Sequence, residues 1–206
     1  MAALGGLRGE KLALQRGHHP LFRDLSFEVS AGEVLLVEGP NGAGKTSLLR
    51  LIAGFLKPRA GSVALRTAGG LVLSEVEEWS PYIGWLGHQD GIKPQLTPHE
   101  TLRFFARFHR GADVEQALNR LGLQRFRDLP VQYLSAGQKK RVALARLTLA
   151  NRALWLMDEP MSMLDFAGRA LVAELIVQHC RDGGMVVAAT HEPLGIPGRH
   201  LSLAPL

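Results

Sequence analysis

The sequence predicts an α/β fold, on three observations. Val34 to Val37 is a continuous apolar run, as a strand buried on both faces requires, and it feeds a glycine-rich loop and a helical stretch from Thr46 to Leu56. Leu154 to Met157, Phe166 to His179 and Met185 to Ala189 alternate as strand, helix and strand, the order that builds parallel sheets. Between these halves the apolar period lengthens to that of a helix from about Pro98 to Leu123. Leu102, Phe105, Ala106 and His109 then share one face, and Val114, Ala117, Leu118 and Leu121 another.

The other elements follow from local signals. Lys11 to Gln15 and Ser26 to Val29 alternate like strands and are separated by the turn residues Gly17-His18-His19-Pro20. Ser62 to Leu65 and Ile83 to Leu86 are short strands, and Ala136 to Ala150 is a helix with Ser135 placed as its N-cap. Lys57 to Glu78 shows no clear period. Residues 1–206 read as one domain, with the helical segment of about 90–150 inserted in the α/β part.

Composition narrows the class. A chain of 206 residues, 46% hydrophobic and 21% charged, is long enough to bury about 70% of the surface its unfolded form exposes. The longest apolar runs, Leu144 to Ala150 and Gly184 to Thr190, fall well short of the roughly 20 residues that cross a bilayer. The start lacks the basic and apolar regions of a signal peptide, so export is not expected. A single cysteine, Cys180, forms neither a disulfide nor a metal cluster and reads as a small hydrophobe on a helix in a reducing compartment. The net charge of +5 is spread along the chain, with one block at Lys139-Lys140-Arg141. That pattern disfavours nucleic acid as a partner and suits the anionic cytoplasmic leaflet of a membrane.

The chemistry begins at Gly39-Pro40-Asn41-Gly42-Ala43-Gly44-Lys45-Thr46, which fits the phosphate-binding pattern G-x-x-x-x-G-K-[ST] between a strand and a helix. The glycines let backbone N–H groups face the phosphates at a helix N-terminus, Lys45 reaches the terminal phosphates, and the Thr46 hydroxyl ligates Mg²⁺. The strand Leu154 to Met157 then delivers Asp158 and Glu159 to the ligand-binding edge of the sheet. Asp158 is expected in the Mg²⁺ shell. Glu159 is the candidate general base for an attacking water.

Leu134-Ser135-Ala136-Gly137-Gln138 resembles the signature of the ATP-binding cassette (ABC) family. Gln89, the segment Ser162-Met163-Leu164-Asp165 and His191 follow the family's order of elements across essentially the whole chain. The resemblance implies a P-loop NTPase (RecA-like) core with an antiparallel β subdomain and an inserted α-helical subdomain. It implies that ATP is bound by Gly39 to Thr46 with Ser47 and Gln89, and that Gln89 joins Thr46 and Asp158 around Mg²⁺. Glu159 and His191 are then catalytic, and Asp165 lies where two copies meet. Leu134 to Gln138, through Ser135 and Gly137 above all, contact ATP held by the second copy.

Three positions depart from the family pattern. Ala136 stands where a glycine is usual, which is tolerable if the backbone there needs no positive φ. Met163 replaces a smaller residue. No aromatic stands near Arg16, leaving Arg16 or His18 to stack on the base and implying weak nucleobase selectivity.

A narrower resemblance rests on Trp85 to Gln89, Gly91 to Thr97, Leu154 to Pro160 and Ala189 to Leu194. These stretches are similar to the ATP-binding subunits of haem-exporter-type complexes of bacterial cytochrome c maturation. The resemblance implies a peripheral subunit on the cytoplasmic face of the inner membrane. Its partners are a second copy of itself and integral membrane subunits among the cytochrome c maturation proteins, docked at Gly87 to Thr97. No Cys-x-x-Cys-His motif is present, so haem is left to the partner. The alternatives are an ATPase of another small bacterial ABC transporter and a soluble ABC ATPase acting as a nucleotide-gated clamp.

Overall fold

The computed structural model describes residues 3–17, 19–88, 91–109 and 112–204. β1 (Leu4–Arg16) and β2 (His19–Ser30) form a long antiparallel pair, extending both expected strands. β3 (Val34–Glu38) carries the expected buried run and leads through the glycine loop into α1 (Lys45–Ile52). The helix stops short of the expected Leu56. Gly54 turns to φ 79°, the Phe55 N–H closes on the Arg50 carbonyl at 2.8 Å, and a Cβ at 54 would sit 2.3 Å from Val76 Cγ1. The glycine therefore ends the helix and lets the next segment pass over it.

The stretch without clear period holds β4 (Ala60–Thr67), β5 (Val72–Leu73) and the single turn α2 (Val76–Trp79). The start of α2 is fixed by local capping between Glu75 and Glu78 rather than by an apolar period. β6 (Ile83–Leu86) follows. The helical segment comprises α3 (Pro98–Ala106), opened by a Thr97–Glu100 capping box, and α4 (Val114–Arg120), then α5 (Ala136–Leu149). β7 (Leu154–Asp158), α6 (Phe166–Arg181), β8 (Met185–Ala189) and the short edge strand β9 (Arg199–Ser202) complete the chain. Among the described residues no helix is long and apolar enough to cross a membrane.

Two sheets result: an antiparallel one in the order β2-β1-β4-β5, and a parallel one in the order β6-β7-β8-β3-β9. The parallel sheet separates two cores, and side-chain alternation decides which residue joins which. Leu36, Trp155, Met157, Val186 and Ala188 face the core formed with α4, α5 and α6. Leu35, Val37, Leu154, Leu156, Met185 and Val187 face the core formed with α1 and the antiparallel sheet. Strands apolar on both faces are what a continuous run encodes, and burying each such leucine contributes roughly 1.5–3 kcal/mol. The arrangement brings the carboxyl ends of β3, β7 and β8 together at one edge of the sheet.

Candidate nucleotide site

Gly44 is the N-cap of α1, at φ 101° and with no side-chain cap. The first N–H groups of α1 are thus left open to an anion at the positive end of the helix. A side chain at 44 would meet Leu21 Cβ at 3.2 Å and the Phe22 ring at 3.3 Å, because the β1–β2 pair folds over the loop. Lys45 is 9% exposed, and its Nζ donates to the carbonyls of Gly39 at 2.6 Å and Pro40 at 3.2 Å. These partners are neutral oxygens, so the buried ammonium is well suited to an incoming phosphate charge.

Asp158, at the end of β7, is 3% exposed. The Thr46 hydroxyl lies 2.9 Å from its Oδ2 and 3.1 Å from Oδ1 and donates to the carboxylate. Burial pushes this carboxyl above its ordinary pKa. The Thr46 hydrogen bond opposes the shift, the neighbouring Glu159 charge adds to it, and His88 and Lys140 pull the other way. A hydroxyl and a desolvated carboxylate converging beside a phosphate loop are oxygen donors that fit a hard divalent cation. Among the described residues no group of three or more His, Cys, Asp or Glu side chains could hold a metal ion.

Glu159 adopts φ 49°, a left-handed conformation that costs roughly 1–2 kcal/mol in an L-residue. Its backbone is fixed there: its N–H donates to the Ala189 carbonyl at 2.9 Å, and its own carbonyl accepts the Ser162 hydroxyl at 2.9 Å. The side chain consequently departs from the direction of Asp158 and meets His191, with Oε2 2.9 Å from Nδ1. The hydrogen bond and the charge of Glu159 raise the imidazole pKa above its ordinary value.

These groups share one cleft of about 500 Å³. Its lining includes Asn41, Gly42, Gly44 to Ser47, Asp158, Glu159 and His191, with Arg16 and Leu21 on the wall formed by the hairpin. Gly39, Pro40 and Ala43 complete the loop. Gln89 and His18 lie outside the described residues. His88, Ser162 and Met163 also line the cleft; Ser162 and Met163 belong to the segment matched to the family's order and His88 to the stretch expected to dock a partner, and none had been assigned to the nucleotide site. His88 directly precedes Gln89, so the expected glutamine position is the signal that could have marked it.

The signature residues behave differently. None of residues 134–138 is among the described residues lining the cleft. Leu134 is buried in the helical core. Ser135 caps α5 as expected, accepting from the Gln138 N–H at 3.2 Å, while Gln138 Oε1 accepts the Ser135 N–H at 2.8 Å. The S-x-x-Q spacing is thus a capping box. Ala136 lies within α5 and is not a positive-φ position, so the methyl is accommodated. Gly137 is needed for another reason: a Cβ there would lie 2.8 Å from the Met163 carbonyl. Met163 is itself left-handed, at φ 64°, and 73% exposed. Asp165 caps α6 through the Gly168 N–H at 2.8 Å and pairs with Arg141 of α5 at 3.1 Å. The cap at Asp165 was legible as an Asp immediately before the helical stretch from Phe166, but was not read from the sequence.

A phosphate loop, an acidic pair after a buried strand, a histidine on that pair and a capped signature helix define a nucleotide-binding ATPase subunit. The chain belongs to the ABC transporter family, whose pattern matches residues 22–162. It is 44% identical over 199 residues to the cytochrome c biogenesis ATP-binding export protein CcmA of Rhodopseudomonas palustris (strain BisB5), covering 96% of this chain and 97% of that one. It is 45% identical over 201 residues to the protein of the same name in Cupriavidus pinatubonensis, covering 96% and 88%. An ABC transporter ATP-binding protein from Pyrococcus furiosus shares the fold at a TM-score of 0.81, with 22% identity and coverage of 96% and 97%.

Proposed function

We propose that this chain is the ATP-hydrolysing, energy-coupling subunit of the membrane complex of c-type cytochrome biogenesis, active as a pair of copies. The site argument rests on one observation: the cleft gathers the phosphate loop, both acids and His191, while the five signature residues lie outside it. The physiological role is supported by identity to CcmA proteins along nearly the full length.

In this reading the N–H groups of the glycine loop and Lys45 bind the phosphates of ATP. Thr46, Asp158 and Gln89 would hold Mg²⁺, which when bound offsets charge on the phosphate oxygens. Glu159 takes a proton from the water that attacks the γ-phosphorus, as the bond to the bridging oxygen breaks and ADP leaves. His191 holds Glu159 in place through its Nδ1. Ser135 and Gly137 of the second copy close over the same γ-phosphate. The Ser135 oxygen accepts within its cap, so its own proton remains available to donate.

The base falls against Arg16 and Leu21, and no Phe, Tyr or Trp is among the described lining residues. A guanidinium stacks on any purine face and reads no ring edge. ATP and GTP should therefore be turned over within about twofold of each other by single-substrate kinetics. A strong preference for ATP would count against this wall as the base site.

The membrane partner docks on the surface beside the described loop 91–97. Arg146 of α5 donates to the Gly91 carbonyl at 3.4 Å and lies 5.1 Å from the Phe105 ring centre. Phe104 and Phe108 stand exposed next to it, packed edge-on. Co-expression with the integral subunits should move the chain into the membrane fraction, and Lys93→Glu should reduce that recovery while leaving basal ATP turnover intact. Recovery that is independent of those subunits, or unaffected by Lys93→Glu, would overturn the docking assignment.

A further inference from the structure

Beside the cleft runs a polar connection that the chemistry described above does not use. Glu192 follows His191, and its Oε2 lies 2.6 Å from Nη1 of Arg169 in the first turns of α6, while its Oε1 lies 3.8 Å from His191 Nε2. The peptide of Glu192 is fixed by Thr190, whose hydroxyl accepts the Glu192 N–H at 3.0 Å and donates to its carbonyl at 2.8 Å. The Nε of the same Arg169 guanidinium donates to the Leu164 carbonyl at 3.2 Å. Leu164 stands between left-handed Met163, whose carbonyl is against Gly137, and Asp165, which is paired with Arg141 on the signature helix.

A half-exposed ion pair of this kind contributes roughly 0–1 kcal/mol to stability. Holding the fold together is therefore a poor account of it. Its geometry is more specific, because one rigid guanidinium lies against a carboxylate next to His191 and donates to a carbonyl in the loop that packs on the signature. We infer that Arg169 and Glu192 are positioning residues that couple His191 and Glu159 of one site to the Met163–Asp165 loop and, through it, to the signature that serves the other site. The inference rests on the paired-site reading above. A shift of His191 on meeting phosphate is passed by Glu192 and Arg169 to the Leu164 carbonyl, and so to the surface against which Gly137 packs.

The test is a double-mutant cycle on the full chain with Arg169→Ala, Glu192→Gln and the pair, with Arg169→Lys as the conservative control. Each single variant should lower kcat about 5-fold or more, bring the Hill coefficient for ATP towards 1, and leave the Kd for a fluorescent ATP analogue within about twofold. The double variant should be no worse than either single one, since both break the same link. Arg169→Lys should fail to rescue, because an ammonium cannot hold carboxylate and carbonyl in one plane. Additive losses, an unchanged Hill coefficient, or equal loss of Kd and kcat overturn the coupling. Dimer formation by the Glu159→Gln chain with ATP separates the two levels. If that dimer fails to form, the paired-site reading falls and this coupling with it. If it forms but the Arg169 and Glu192 variants remain cooperative, only the coupling falls.

Discussion

The starts of α1 and α5 are both helix N-termini that offer N–H groups to an anion, yet they are finished in opposite ways. At α1 the N-cap is a glycine with no side chain to close it, and a lysine, a hydroxyl and a buried carboxylate converge around the opening. At α5 the cap is closed by Ser135 and Gln138 acting on each other, and Leu134 roots it in the core. The first is a helix end left open for a ligand inside its own subunit. The second is complete as a helix end, and its capping residues are not among those lining the cleft. The same local chemistry is thus left open in one place and closed in the other, as the proposed division between a holding site and a completing surface requires.

Four substitutions test that division, the largest effect first. Glu159→Gln should retain ATP binding and lower turnover on the order of 10²–10⁴-fold, with an ATP-dependent dimer seen by gel filtration. Near-normal turnover would remove Glu159 as the base. Lys45→Ala and Ser135→Ala should part ways. The first should weaken ATP binding about 10–100-fold through loss of a charge-assisted contact. The second should leave single-chain binding in place and lower turnover, together with about 1 kcal/mol of stability from the lost cap. If Ser135→Ala weakened binding as much as Lys45→Ala, the two helix ends would be serving the same site.

The smallest effect is expected at Asp158. Burial holds its folded-state pKa above the unfolded one, so the folded chain binds more protons between those values. The neutral form's contribution is complete below the unfolded pKa and declines as pH rises through the folded one. At neutral pH the ionised carboxylate is therefore a net cost to the fold. Asp158→Asn should raise Tm by a few degrees at pH 7, with the gain vanishing in acid. A lower Tm at pH 7 would show that the Thr46 hydrogen bond outweighs desolvation.

The parts of the molecule that were legible in the sequence are those encoded locally. β3, β7 and β8 read as continuous apolar runs because both of their faces are buried. The phosphate loop and the Asp158-Glu159 pair read from a spacing that one turn imposes. β9 did not read, since Arg199–Ser202 has one strand neighbour and mixed polarity, and is held by backbone pairing to β3. α1 was extended too far because the apolar period continues through Phe55 and Leu56, while the chain direction is set by Gly54 against Val76. His88 at the cleft and the Arg169–Glu192 pair join residues far apart in sequence, and no periodicity records such meetings. The left-handed turns at Glu159 and Met163 were equally silent, because neither residue type announces a positive φ.

The division of the interior by the parallel sheet has a consequence for how such a chain diversifies. The helix that follows the phosphate loop is anchored by Leu48, Leu49, Leu51 and Ile52 on one side of the sheet, whereas Leu102, Leu118 and Val142 anchor the helical segment on the other. Substitutions that resculpt the helical side are absorbed by a core in which the loop has no share. A change of packing on one flank therefore leaves the packing beneath the phosphate loop in place.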